Sequence, residues 1–223
     1  MVFTGLVRTT GRVVSASSGT QARRFAITCD LVAADLELGA SVCCAGVCLT
    51  VVAAAAGRFE VDAAFETLRC TTLGALEVGA RINLEPSLRV GDAMGGHFVS
   101  GHVDGVGSVR SVTPRGEAVE FWIEIPVPLR PLVAAKGSIC IDGTSLTVNT
   151  VDAIGVMIGL VPHTLAVTTL GERRAGDAVN LEVDMLARYV ARLLECRTSA
   201  PGDVTVDMLA AAGFRDVTRR GPT

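Results

Sequence analysis

The chain of 223 residues repeats itself. "VCLTV" (residues 47–51) returns as "TSLTV" (144–148), so Thr50 pairs with Thr147, 97 residues on. "ETLRCTTLGALEVGARINLE" (66–85) returns as "HTLAVTTLGERRAGDAVNLE" (163–182), and Thr67 pairs with Thr164 at the same spacing. Nearer the start, "FTGLVRTTGRV" (3–13) matches "VSGHVDGVGSV" (99–109). There Gly5 pairs with Gly101 at a spacing of 96, and "FAI" from Phe25 meets "FWI" from Phe121 at that same spacing. A loop deletion leaves such a one-residue drift. Shared blocks in one order at one offset mean one folding unit used twice, each copy burying its own apolar face.

Each copy reads as short strands. "GRVVSAS", "RRFAITCD", "SVCCAGVCLTVVAA" and "RINLEPS" are rich in β-branched residues and partly alternate. Gly19, Gly39, Gly57, Gly79 and Gly91 punctuate the first copy; Pro114, Gly116, Pro126, Pro128, Gly137 and Gly155 punctuate the second. Such strands in a unit of this size predict a closed or nearly closed β-barrel. Turns at Gly79 and Gly176 lead into the late strands "RINLE" and "AVNLE". Aromatic residues make up only 4% of a chain that is 49% hydrophobic, so valine, leucine and alanine must build the cores.

After the second copy the period changes. "VDMLARYVARLLECR" (183–197) places Met185, Leu186, Tyr189, Val190, Leu193 and Leu194 at helical spacing, with Arg188, Arg192 and Arg197 opposite. An apolar stripe following two complete barrels needs a partner surface. "VTVDMLAAAGF" (204–214) reads as a second short helix stopped at Gly213. The chain thus divides into 1–97, 98–182 and a helical tail, 183–223.

Composition excludes several functions. A net charge of −3 weighs against nucleic acid or an anionic membrane as partner. The apolar run Leu49 to Ala56 is too short to span a bilayer, and Arg8 and Arg12 interrupt anything resembling a signal peptide. A cytoplasmic protein is expected. The seven cysteines form no C-x-x-C and no His–Cys zinc spacing, so reduced thiols and no metal are expected.

Two of the three histidines, His97 and His102, sit in "GGHFVSGHVDG" at the junction of the copies. Alone they read equally as turn caps or as acid–base groups. Pairing the copies sets Cys48 against Ser145, a thiol against a hydroxyl, and Glu66 against His163. A thiol beside a cation can ionise and add covalently, whereas a cysteine in an apolar strand is also an ordinary core residue. Ser145 without an activating base is a hydrogen-bonding group.

"FTGLV", "GVCLTV", "GGHFVSGHVDG", "DGTSLTVN" and "PHTL…TTLG…VNLE", in this order on a duplicated frame, resemble the riboflavin synthase α-chain family from Phe3 to about Arg197. The resemblance implies two tandem six-stranded antiparallel barrels, a C-terminal helix and a homotrimer. It implies dismutation of two 6,7-dimethyl-8-ribityllumazine molecules into riboflavin and 5-amino-6-(D-ribitylamino)uracil, with no cofactor, and association with lumazine synthase. A duplicated domain suits a reaction that uses one compound in two roles.

The resemblance also implies site residues. Cys48, Leu49 and Thr50, and in the second copy Ser145, Leu146 and Thr147, line the pteridine pockets. Gly5, Leu6 and Val7, with Asp62, Ala63, Ala64, Phe65, Glu66 and Thr67, and with Gly101, His102 and Val103, belong to the first pocket. Lys136, with Val161, Pro162, His163, Thr164, Leu165 and Ala166, belongs to the second. Cys48, Ser145, His97 and His102 are the catalytic candidates, and Phe3 is a lid or stacking residue. Ala45 departs from the polar residue usual there, and its repeat partner is Asp142, which leaves the first pocket one polar group short. A lumazine protein of the same fold, which only binds, is the rival, but it is expected to lose the second pocket. A flavin-reductase-like barrel is remote, since no G-x-G-x-x-G precedes a helix.

Overall fold

The computed structural model describes residues 1–19, 22–198 and 206–213. The first copy forms β1 (Thr9–Ser18), β2 (Ala22–Thr28), β3 (Ser41–Cys44), β4 (Val47–Ala55), β5 (Arg58–Ala64), α1 (Phe65–Cys70) and β6 (Arg81–Pro86). The second repeats it as β7 (Gly105–Arg115), β8 (Ala118–Glu124), β9 (Ser138–Ile141), β10 (Thr144–Val151), β11 (Gly155–Leu160), α2 (Pro162–Val167) and β12 (Ala178–Val183). The strands close into barrels in the order β1-β2-β5-β4-β3-β6 and, equivalently, β7-β8-β11-β10-β9-β12, antiparallel throughout. Both barrels break register at the same places, Val13/Ser15 and Val51/Ala53 in one, Val109/Ser111 and Val148/Thr150 in the other. Bulges of this kind bend strands enough to close a small barrel.

Each barrel has its own core. Phe25, Ile27, Phe59, Val61 and Leu84 fill the first; Phe121, Ile123, Val156, Ile158 and Leu181 fill the second. A third cluster, Phe3, Val99, Cys43 and Cys140, joins them, and Phe3 and Val99 bond as a two-residue antiparallel bridge. All seven cysteines are free thiols.

"SVCCAGVCLTVVAA" is two strands rather than one. Ala45 and Gly46 form a two-residue turn between β3 and β4, both at positive φ (49° and 84°), as a primed hairpin turn requires. The second copy places Asp142 and Gly143 there with φ of 45° and 79°. The two turns abut, since a Cβ on Gly46 would lie 3.0 Å from the Gly143 nitrogen. Ala45 is therefore buried between barrels, and the expectation that it leaves a pocket short of a polar group is corrected. Its partner Asp142 is fully buried, receiving Arg173 at 2.7 Å and the Asn180 N–H at 2.8 Å. In the first copy the Arg173 position is Leu76, so an apolar pair replaces the ionic one.

The duplicated blocks now have physical reasons. In N-L-E, Asn83 donates to the Asp142 carbonyl and accepts from the Thr169 N–H, both at 2.8 Å. Asn180 returns both bonds, to the Ala45 carbonyl and from the Thr72 N–H, at 2.8 Å. The leucines, Leu84 and Leu181, fill the cores. In T-T-L-G, Thr71 and Thr168 cap the short turns through the Leu73 and Leu170 N–H groups. A Cβ on Gly74 or Gly171 would lie 2.3 or 2.2 Å from the Leu68 or Leu165 carbonyl, so only glycine fits.

A separate C-terminal unit begins at Arg188. Helix α3 (Met185–Thr198) starts after Val183, which ends β12, so the helix begins two residues later than its periodicity suggests. Leu186, Tyr189, Val190, Leu193 and Leu194 are all exposed on it. Helix α4 (Val206–Ala211) is shorter than expected, and residues 204, 205 and 214 of that expectation lie outside the described residues.

Candidate functional site

The segment ahead of β1 does not stay with its own barrel. The Gly5 carbonyl accepts the Ser145 N–H at 2.7 Å on β10, and a Cβ on Gly5 would lie 2.6 Å from Ser145 Cβ. The segment ahead of β7 makes the reciprocal crossing. The Gly101 carbonyl accepts the Cys48 N–H at 2.8 Å on β4, and a Cβ there would lie 2.6 Å from Cys48 Cβ. Both glycines hold positive φ (73° and 75°), where a side chain would be strained as well as blocked. Each barrel is therefore crossed at this strand by the other copy's leading segment.

The pocket at the second barrel is a cavity of about 590 Å³. Thr4, Gly5, Leu6 and Val7 form one wall, and Thr144, Ser145, His163 and Thr164 form the other. Arg8, Asp35, Arg89 and Asp92 also line it. His97, half-buried, holds Nδ1 2.7 Å from Ser145 Oγ. Burial pushes the His97 pKa down against the pull of Asp184, so the ring is neutral at physiological pH. Nε2 is buried without a hydrogen-bond partner among the described residues. A neutral imidazole on a serine hydroxyl can accept, hold and return a proton.

At the first barrel the same slot is filled differently. Met1, 96 residues before His97, places Sδ 3.9 Å from Cys48 Sγ and also meets Ser41 Oγ. Burial pushes the Cys48 thiol up, with the Ser41 contact and the Met1 ammonium opposing. The thiol is protonated at neutral pH, beside a thioether rather than an imidazole. The net shift is upward, which favours the thiol over the thiolate.

Other expected residues sort by strand face. Gly5, Leu6 and Val7 stand with Ser145, not with residues 62–67, which corrects their assignment to the first pocket. Phe3 is 0% exposed in the cluster between barrels, so it is an anchor and not a lid. Leu49 and Ala63 point into the first core and Leu146 packs on the second, leaving only their backbones for a ligand. Thr50 and Thr147 are exposed beside them on outward faces. Asp62 pairs with Arg24 through two bonds of 2.7 Å, which lowers its pKa. Glu66, at the start of α1 after Ala64 and Phe65, pairs with Arg69, with Thr67 behind it. Val103 packs against the first core, and exposed His102, on the segment ahead of β7, is the repeat counterpart of Leu6.

Helix α2 divides its residues. His163 and Thr164 face the large cavity, whereas Pro162, Leu165 and Ala166 line a separate recess of about 380 Å³ with Phe121 and Arg173. Val161 is exposed at the helix start. Exposed Lys136 holds φ at 67° where the first copy has Gly39 at 84°, a conformation costing a lysine about 1–2 kcal/mol. Sequence reasoning missed Met1, Thr4, Ser100, Glu85 and Glu182. The signal for the glutamates was present, an N-L-E block repeated in the last strand of each copy.

Two closed barrels that exchange their leading segments, with a cavity of about 590 Å³ at one crossing, define a tandem-barrel binder of small molecules. The lumazine binding domain family matches the chain twice, over residues 4–87 and 100–184. Riboflavin synthase of Brucella abortus is 47% identical over 87% of this chain and 98% of its own. That of Photobacterium phosphoreum is 37% identical over 96% and 99%, and that of Mycobacterium tuberculosis 41% over 86% and 98%. Crystal structures of LumP complexed with 6,7-dimethyl-8-(1′-D-ribityl)lumazine and with riboflavin superpose with TM-scores of 0.72 and 0.73, at 26% and 28% identity. Each covers 81% of this chain and 98% of LumP. The chain belongs to the riboflavin synthase family.

Proposed function

We propose that this chain catalyses the dismutation of two ribityllumazine molecules, a four-carbon transfer that yields riboflavin and 5-amino-6-(D-ribitylamino)uracil. The observation that carries the reading is the pair of crosswise segment contacts, at Gly5/Ser145 and Gly101/Cys48, alike in frame and different in chemistry. One compound must serve as both donor and acceptor, and two related pockets that differ at Cys48/Ser145 and Met1/His97 allow the two roles.

The C7 methyl of the lumazine is acidic because its anion spreads into the pteridine ring. Ser145 Oγ, which lines the cavity, passes that proton to Nδ1 of His97, whose ring burial keeps neutral. Hydrogen bonds from the segment and α2 backbones to ring oxygens and nitrogens stabilise the developing charge. Holding both rings in register contributes several kcal/mol more, on the order of what oriented reactions gain. Lys136 and His102 keep the roles in the second and first pockets that the family resemblance gives them.

Assembly completes this reading. The exposed apolar stripe of α3, Leu186, Tyr189, Val190, Leu193 and Leu194, supports a homotrimer built through that helix. Each large side chain buried there contributes about 1.5–3 kcal/mol. The productive pair of pockets then lies between neighbouring subunits of a cytoplasmic enzyme. Supplying ribityllumazine as sole substrate and watching for flavin emission tests the activity. Sedimentation of a chain ending at Asp184 tests the helix: monomers that bind but hardly turn over are expected, and a monomer with near-normal kcat refutes the intersubunit site.

A further inference from the structure

The two crossing segments are held by carboxylates on the last strand of each barrel. Glu85 on β6 is 6% exposed and Glu182 on β12 is 2% exposed. Glu85 Oε1 accepts the Thr4 N–H at 2.7 Å and the Thr4 hydroxyl at 2.6 Å, and Oε2 accepts the Gly5 N–H at 3.0 Å. Glu182 Oε1 accepts the Ser100 N–H at 2.7 Å and hydroxyl at 2.6 Å, and Oε2 accepts the N–H groups of Gly101 at 2.9 Å and His102 at 3.1 Å. Both oxygens of each carboxylate are thus engaged as acceptors. An amide cannot replace it, because its NH2 would face N–H donors. Bonds to an ionised acceptor are also the stronger kind.

What each carboxylate holds is a wall of the opposite pocket. Glu85 belongs to the first barrel, yet the turn it fixes presents the Gly5 carbonyl to Ser145 of the second. Glu182 belongs to the second barrel, yet its turn presents the Gly101 carbonyl to Cys48 of the first. The geometry points to Glu85 and Glu182 as crosswise positioning residues: each sets the shape of the pocket on the barrel to which it does not belong. Neither carboxylate touches the reacting atoms. Their identification as parts of lumazine pockets rests on the function proposed above, but the crosswise linkage itself does not.

The test uses thiol alkylation by iodoacetamide in the full chain, mapped by mass spectrometry, with Cys70 as internal reference. Cys48 reports on the first pocket, and Ser145→Cys places an equivalent reporter in the second. Glu182→Gln should raise the Cys48 rate on the order of tenfold, as expected for losing bonds to a buried charged acceptor. It should leave the rate at the thiol introduced by Ser145→Cys within about twofold. Glu85→Gln should do the reverse. If both reporters respond equally to either variant, or neither responds, the crosswise role is overturned. Where a glutamine variant does not fold, Ser100→Ala and Thr4→Val remove one donor each and carry the same crosswise expectation, with smaller changes. No turnover is needed, so a chain that bound lumazine without converting it would leave this result standing.

Discussion

His97 Nδ1 lies 2.7 Å from Ser145 Oγ, and the residue that fills the matching place beside Cys48 is Met1, with Sδ 3.9 Å from Sγ. The duplicated frame therefore sets an imidazole on a hydroxyl in one copy and a thioether beside a thiol in the other. A gene duplication supplies two equal sites, and chemistry that needs two unequal roles is served by changing a few side chains against a constant backbone.

His97→Gln should lower kcat by about a hundredfold with little change in KM, as for loss of a general base. Because burial depresses the His97 pKa, the acid limb of kcat/KM should fall below about pH 6.5. Stability moves the same way. Above that pH the ring is neutral in both folded and unfolded chains, and as pH drops the unfolded chain takes up the proton first. This histidine's contribution is present above about pH 6.5 and is lost below it. A pH–rate profile with an acid limb above pH 7 would assign the base elsewhere.

Cys48→Ser installs the hydroxyl that the second copy uses. With the thiol protonated beside a thioether, turnover should stay within about threefold of the parent. A drop of a hundredfold or more in a steady-state assay would show covalent chemistry at sulfur.

Asp142→Ala removes the buried acceptor of Arg173 and the Asn180 N–H. Breaking such a pair costs about 3 kcal/mol. Adding Arg173→Leu recreates the Ala45/Leu76 pair of the first copy and should recover most of that loss. Denaturant unfolding of the single and double variants measures it, and equal destabilisation of both would show that the ionic pair contributes through something other than the unpaired charge.

Residues 1–97 alone contain a complete barrel and a leading segment but lack the Gly101 wall. Two such fragments can exchange segments, the Cys48 N–H of one meeting the Gly5 carbonyl of the other. The fragment should sediment as a dimer and bind one flavin or lumazine per chain. A monomer with full affinity would mean the exchanged wall is dispensable.

The architecture is legible from the chain because strand period and the repeat both register on side chains along one sequence. The Asp142–Gly143 turn is visible as a turn pair, whereas Ala45–Gly46 is not, because alanine at positive φ is held by packing between the barrels and by no local preference. Ser145, His97 and His163 emerge from the repeat offset and the family resemblance. The exchange of Gly5, Leu6 and Val7 to the second barrel does not, because the crossing depends on contacts between copies that neither copy shows alone. Phe3 is misplaced for the same reason: an aromatic near a terminus reads as a lid until the Val99 bridge buries it.

Two crosswise pockets that react two molecules of one compound need nothing but that compound. A single anaerobic incubation of the full chain with 6,7-dimethyl-8-ribityllumazine alone, following lumazine absorbance and flavin fluorescence together, puts this to the proof. Green emission should grow as lumazine disappears, with one riboflavin formed for every two lumazines consumed. Tight lumazine binding with no flavin formed would contradict the dismutation, and would make these barrels a ligand carrier.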